Sequence, residues 1–151
     1  MVKMVPITHE DPVVKTCIRF TQLASAILKL FERQLYLNLD STFIRYTILK
    51  ILVIRGATKP SEIATLTNTK KHNITPLIEH MRKEKLVITR RSRQDRRVVY
   101  ITVTDKGREL YKQAEPVVEK TIQQVMHGIN KSNALEFEKF LDIIQDNLES
   151  D

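Results

Sequence analysis

RRSRQDRRVVYITVTDKG, Arg90 to Gly107, begins as a charge run and ends as a strand running into a helix start. Its first eight residues hold five arginines and one aspartate. A run of that density is ordinarily a solvated face. Its neighbours argue for something shaped. The residues before and after it, LVITRRS from Leu86 and RRVVYITVT from Arg96, are rich in Val, Ile, Thr and Tyr, the composition of short strands. Two strands framing the run make a β-hairpin with a loop of about Ser92 to Arg96. The loop lacks Asn-Gly and Asp-Gly, so it is expected to be longer than a two-residue turn. Thr104-Asp105 then caps a helix.

Upstream lies TKPSEIATLTNTKKHNITPLIEHMRKEK, from Thr58. Pro60 suits a first helical position, where its missing N–H is not needed. Ile63, Ala64 and Leu66 give a short apolar face. Thr67-Asn68-Thr69 breaks it, and Asn68 tolerates left-handed backbone. Ile74, Leu77, Ile78 and Met81 then recur at helical spacing. Pro76 would break this second helix unless it lies near the start, so the helix is expected to begin between Lys71 and Asn73 or to bend at the proline. Two helices joined by about three residues form a helix-turn-helix.

The flanks are helical and long. Val13–Leu39 carries Ile18, Leu23, Ile27, Leu30, Phe31 and Leu35 as a stripe, and Asp40-Ser41 reads as a stop and a new cap. Thr42–Gly56 is a second helix ended by its glycine. After the hairpin, Asp105–Ile129 carries Leu110, Ala114, Val117, Val118, Ile122, Val125 and Ile129, with a kink expected at Pro116. Ser132 starts a last helix with Phe137, Phe140, Leu141, Ile144 and Leu148 along one side. The fold class is mainly α with a small β-hairpin wing: a winged helix-turn-helix, residues 40–107, flanked by terminal helices, residues 1–39 and 108–151, in one continuous intertwined domain. The apolar stripes of the terminal helices suit either a dimerisation lobe, packed across a two-fold axis, or a three-helix core within one chain.

Charge follows this division. The chain of 151 residues carries a net charge of +7 with 42% apolar residues. Arg55 to Arg108 holds 14 Lys/Arg against 5 Asp/Glu, and the remainder 11 against 13. All the positive excess sits on the middle third, the electrostatic footprint of a nucleic-acid binder. A single cysteine, Cys17, excludes an internal disulfide framework. The N-terminus lacks a signal-peptide apolar run, and ILKILVI is too short to span a bilayer, so the expected location is cytoplasmic with no membrane partner.

Asp95-x-Arg97 followed by Ile101-x-Val103-Thr104-x-x-Gly107 resembles the wing signature of the MarR family of winged-helix transcription regulators. EIATLTNTKKHNITPLIEHMRKEKLVITR, Glu62 to Arg90, is similar to that family's helix-turn-helix and the strand after it. The resemblance covers nearly the whole chain. It implies that Arg97 enters a DNA minor groove and that Asp95 braces an arginine by an ion pair. Lys85 departs from the pattern, since the family usually has glycine there. If the position keeps a positive φ, the strain is of order 1 kcal/mol; a slightly remodelled turn is the expectation.

The expected DNA-binding residues are Ser61, Thr69, Lys70, Lys71, His72, Asn73 and Thr75 from the helix-turn-helix, and Arg91, Arg93, Asp95, Arg96 and Arg97 from the wing. Short polar and cationic side chains at the N-terminal end of a recognition helix reach base edges and phosphates. Thr69 and Asn73 could equally serve as helix caps. The expected partners are double-stranded DNA and a second copy of the chain through the terminal helices. Relatives also suggest a small apolar or phenolic effector between the lobes. The function read from this is a sequence-specific regulator, a repressor on a palindromic operator. The alternative is an RNA-binding or ribosome-associated winged-helix module that need not dimerise.

One branch of the resembled family senses peroxides with a first-helix cysteine and nearby tyrosines. Here Phe43 stands near the expected place, with Tyr36 and Tyr46 close in sequence, and Cys17 is read as a small buried apolar residue. A zinc-sensing branch uses a His-x-x-x-His pair, and only His127 is present. No catalytic constellation, metal motif or cofactor motif stands out among the residues, so no enzyme and no cofactor are expected.

Overall fold

The computed structural model describes residues 4–92, 94–95 and 97–150. The elements run α1 (Pro12–Leu39), α2 (Phe43–Arg55), α3 (Pro60–Leu66), α4 (Lys71–Lys83), β1 (Val87–Arg91), β2 (Val99–Val103), α5 (Asp105–Val125) and α6 (Lys131–Glu149). The described residues up to Thr121 form one compact unit, and those from Ile122 onward a second.

Local chemistry sets each boundary. Asp11 caps α1 by accepting from the Val13 and Val14 amides at 2.7 and 3.1 Å, with Pro12 in the first position. Asp40 ends it in left-handed backbone, φ 47°. The cap of α2 is Thr42, which accepts from the Arg45 amide, rather than the expected Ser41, which is buried. Asn68 takes the anticipated left-handed turn, φ 47°. α4 begins at Lys71, so Pro76 falls in its second turn and the helix runs on through it.

β1 and β2 are antiparallel, in the register Val87↔Val103 to Arg91↔Val99. The loop between them is two residues longer than expected on the β2 side. Asp95 is the reason. Its Oδ1 accepts from the Arg97 amide at 2.8 Å, and its carbonyl accepts from the Val98 amide at 3.0 Å, which turns both amides away from β1 and leaves only the Val98 carbonyl of this pair bonded across the hairpin, to the Ser92 amide at 2.9 Å. On the outer side of β2, Ile101 exchanges both main-chain bonds with Thr58, at 2.8 and 3.0 Å. This ties the hairpin root to the α2–α3 connection.

Thr104 stitches that root to the turn after α4. Its amide donates to the Leu86 carbonyl at 3.0 Å, its hydroxyl reaches the Lys85 carbonyl at 2.7 Å, and its Oγ1 accepts from the Gly107 amide at 3.0 Å as the cap of α5. A Cβ on Gly107 would lie 2.2 Å from the Leu86 carbonyl oxygen, so only glycine fits. The turn does keep a positive φ at Lys85, 63°, where glycine is usual. α5 runs through Pro116 but stops at Val125, short of the expected Ile129. A turn from Met126 to Gly128 intervenes, with Gly128 at φ 83°. Asn130, not Ser132, opens α6 by accepting from the Asn133 amide at 2.9 Å.

Two apolar clusters hold the larger unit. One joins Ile48, Leu49 and Leu52 of α2 to Ile63, Ile74, Met81, Val87 and Ile101. The other gathers Phe31, Leu35, Tyr46, Ala114 and Val118. Aromatic rings stack through the second cluster: Phe31–Phe43, Phe43–Tyr46 and Tyr46–Tyr111, with centroids 4.9, 5.8 and 5.9 Å apart. Tyr46 donates to Glu115 at 3.1 Å and accepts from Lys50 at 3.3 Å. Burial, then the Glu115 charge, raises the Tyr46 hydroxyl well above the ordinary tyrosine range. Tyr111 is pushed up to about 12, first by burial and then by its bond to Glu115. Burial works to raise Glu115 itself, but the two hydroxyls and Lys50 outweigh it and hold the carboxyl below its ordinary value.

Cys17 is exposed, contrary to the buried reading. The buried residues of α1 are Phe31 and Leu35, in its last third, and Cys17 sits in its second turn. The Tyr46 hydroxyl is engaged by Glu115 and Lys50. Among the described residues no group of three His, Cys, Asp or Glu could hold a metal ion. No described helix is long and apolar enough to cross a membrane.

Candidate nucleic-acid interface

The α3–α4 corner gathers four of the expected residues. Ser61, Thr69, Lys70 and Lys71 line one recess of about 490 Å³, together with Thr65 and Asn68. The Thr69 hydroxyl donates to the Thr67 carbonyl at 3.1 Å, so it does not cap α4. Lys70 occupies the cap position and makes no side-chain cap bond. Asn73 lies inside the helix, its amide bonded to the Lys70 carbonyl at 2.9 Å. Both capping readings therefore fail, because the turn places a lysine where a Ser, Thr, Asp or Asn would close the end. The Lys71 and His72 amides, the first two of α4, have no partner among the described residues, next to the Lys70 and Lys71 side chains. Open N–H groups at a helix start, with cations beside them, favour an anion such as a phosphate.

The exposed side of α4 follows from its buried side. Ile74, Ile78 and Met81 are buried. Helical geometry sets His72, Pro76, Glu79 and Lys83 on the opposite face. His72, Asn73 and Thr75 are exposed as anticipated, and Thr75 also bonds the Lys71 carbonyl at 3.4 Å. Pro76, Glu79 and Lys83 were missed. The signal was present: a face opposite the recognised apolar positions can be counted off from them.

On the hairpin, Arg91, Asp95 and Arg97 are exposed. Arg93 and Arg96 lie outside the described residues. Asp95 does brace Arg97, but through the main chain. Its carboxylate accepts from the Arg97 amide, and no ion pair joins it to a guanidinium among the described residues. The carboxylate thus shapes the loop and leaves the Arg97 side chain unneutralised.

The cations divide into held and unheld. Arg45 is paired with Glu84, Arg55 with Glu62 at 3.2 Å, and Arg82 with Glu79 at 2.8 Å. Lys70, Lys71, Arg91 and Arg97 have no ion pair among the described residues. Lys70 and Lys71 lie at the start of α4 and Arg91 and Arg97 on the hairpin, the two places a duplex would touch, although cations elsewhere, such as Lys29, Arg33 and Lys139, also lack an ion pair among the described residues.

A helix-turn-helix followed by an arginine-bearing hairpin defines the winged-helix class of regulators. Within it, residues 26–114 match the family described as Transcriptional regulator SarA/Rot, and the chain belongs to that family of MarR-type transcription regulators. The HTH-type transcriptional repressor IacR of Pseudomonas putida is 26% identical over 132 residues, 87% of this chain and 74% of IacR. AbsC, a MarR family transcriptional regulator from Streptomyces coelicolor, shares the fold with a TM-score of 0.83 at 22% identity, over 95% of this chain and 100% of AbsC. BpsR of Bordetella bronchiseptica, whose DNA binding is regulated by 6-hydroxynicotinic acid, gives a TM-score of 0.78 at 21% identity, over 93% of this chain and 99% of its own.

Proposed function

We propose that the chain is a repressor that binds a palindromic operator in double-stranded DNA as a homodimer. The observation that carries this is the lysine-flanked start of α4, which has no side-chain cap, together with a hairpin whose Arg97 has no ion pair among the described residues. In this reading α4 lies in the major groove. The wing presents Arg97 to the adjacent minor groove, where a planar guanidinium suits the negative potential. Ser61, Thr69, Lys70, Lys71 and Arg91 hold phosphates; His72, Asn73 and Thr75 approach base edges. Arg93 and Arg96 belong to the same wing contact set, and Asp95 shapes the loop.

The dimer is supported by exposed apolar side chains on the terminal helices. Val13, Leu28 and Leu37 of α1 are exposed, as are Phe140, Ile143 and Leu148 of α6, and no residue of α6 is buried. Residues 1–39 and 108–151 would supply this dimer lobe, and 40–107 the DNA-binding lobe. Two-fold symmetry matches an inverted repeat. A small apolar or phenolic effector that releases the operator is part of the proposal. It is supported by the likeness to BpsR, whose DNA binding a small hydroxylated aromatic acid regulates.

Selection from random duplexes with the purified protein tests the proposal. The expected product is an inverted repeat with half-sites about one helical turn apart, bound by a species of dimer mass. With roughly eight phosphates neutralised per dimer, log K should fall against log salt with a slope near −7. A monomer in solution, or no enriched duplex, would overturn it.

A further inference from the structure

Glu79 is an anomaly on its surface. It stands on the face of α4 opposite Ile74, Ile78 and Met81, between Pro76 and Lys83. The region around it is strongly basic. A carboxylate there is repelled by phosphates and, by charge alone, would weaken DNA binding. Its geometry is specific. Arg82 donates twice to a single oxygen, Glu79 Oε2, from Nε at 3.0 Å and Nη2 at 2.8 Å. Oε1 accepts no hydrogen bond among the described residues. The pair is half-exposed, and an i,i+3 ion pair of that kind adds little to stability.

We propose that Glu79 is a specificity-determining residue that accepts a hydrogen bond from the N4 amino group of a cytosine in the major groove, with Arg82 as its positioning residue. The inference rests on the operator-binding reading above. The major-groove edges carry the argument. Cytosine offers a donor at N4, and a carboxylate can only accept. Adenine offers N6–H beside the N7 acceptor, which would face the same carboxylate. Guanine presents only acceptors there, and thymine an acceptor and a methyl. The two bonds from Arg82 anchor Oε2 and leave Oε1 without a hydrogen bond among the described residues, on a half-exposed side chain. They also occupy a cation that would otherwise bind phosphate without regard to sequence.

The test is a paired selection with the full-length protein and Glu79→Ala, followed by titrations on the wild-type operator and on one carrying a substituted C·G pair. The expected result has three parts. Wild type enriches one cytosine per half-site that Glu79→Ala no longer prefers. Discrimination at that pair falls about 5- to 150-fold. Binding to unrelated duplex strengthens, with a salt slope steeper by about one per protomer as Arg82 is released. Arg82→Gln should relax preference at the same base pair and at no other, an effect that loss of a surface ion pair alone would not produce. An enriched motif that Glu79→Ala leaves unchanged overturns this assignment while the operator-binding reading stands. A relaxed position that is not a cytosine does the same. A wild-type selection that enriches nothing overturns the operator-binding reading, and this inference with it.

Discussion

Replacing Gly107 with alanine perturbs the junction of hairpin, α4 and α5 with a single methyl group. The added Cβ would sit 2.2 Å from the Leu86 carbonyl oxygen and 2.8 Å from Val103 Cγ2, where ordinary contact begins at 3.4 Å. The closest obstacle is backbone, so no side chain can turn aside; the start of α5 or the turn after α4 must move by about 1 Å. That movement stretches the bonds from the Thr104 amide to Leu86 and from its hydroxyl to Lys85, now 3.0 and 2.7 Å. Overpacking costs about 1–3 kcal/mol, and each of two weakened hydrogen bonds costs about 1 kcal/mol. We expect a loss of roughly 3 kcal/mol or more, which for a chain of this size lowers Tm by about 6–12 °C. Thermal unfolding at fixed protomer concentration is the assay, because any self-association makes Tm concentration-dependent. A fall of less than about 2 °C would refute the packing argument. The same variant should weaken the proposed operator binding even well below its Tm, since Leu86 and Val103, the two residues that the methyl meets, sit at the root of the wing.

Lys85→Gly should stabilise the chain by about 1 kcal/mol, raising Tm by about 2–4 °C, because it relieves left-handed backbone at φ 63°; an unchanged Tm would show that Lys85 is not strained. Tyr111 is raised from 10.0 to about 12 in the folded chain, so the stability it contributes is complete below about pH 10 and lost as pH climbs to about 12. Urea unfolding between pH 9 and pH 11 should show that loss, and Tyr111→Phe should blunt it. Glu115 shifts the other way: its contribution holds above the ordinary carboxylate value and disappears as acid protonates it, and Glu115→Gln should flatten that acid limb in the same assay. Arg97→Ala should weaken specific binding by ~1–3 kcal/mol and leave the solution mass unchanged; unaltered affinity would show that the wing arginine makes no useful contact.

The helix-turn-helix was legible because its signals are local. Pro60 starts α3, Asn68 turns left-handed, and α4 begins at Lys71, within the expected span, with Pro76 carried inside its second turn. The hairpin was legible from its β-branched flanks, but the turn at Lys85 was expected to be remodelled and instead keeps a positive φ. Failures came where a side chain redirects the backbone or where partners are far apart in sequence. The Asp95 turn lengthened the loop, and Gly128 shortened α5, neither of which periodicity registers. Tyr46 and Glu115, 69 residues apart, share no pattern that would pair them. Within the candidate interface, attention to the polar start of α4 hid Pro76, Glu79 and Lys83 further along the same helix.

A two-stranded ribbon has two outer edges, and each could template a strand from another molecule. Thr58 closes the middle of the β2 edge by taking both main-chain groups of Ile101. The β1 edge has no such cover among the described residues, and Ile88 is exposed there. That strand ends in Arg90 and Arg91, both exposed, and two charged side chains repel an identical edge approaching in register. Arg90 and Arg91 thus guard the chain against its own aggregation, apart from the phosphate contact proposed for Arg91. A variant stripped of both would lose solubility.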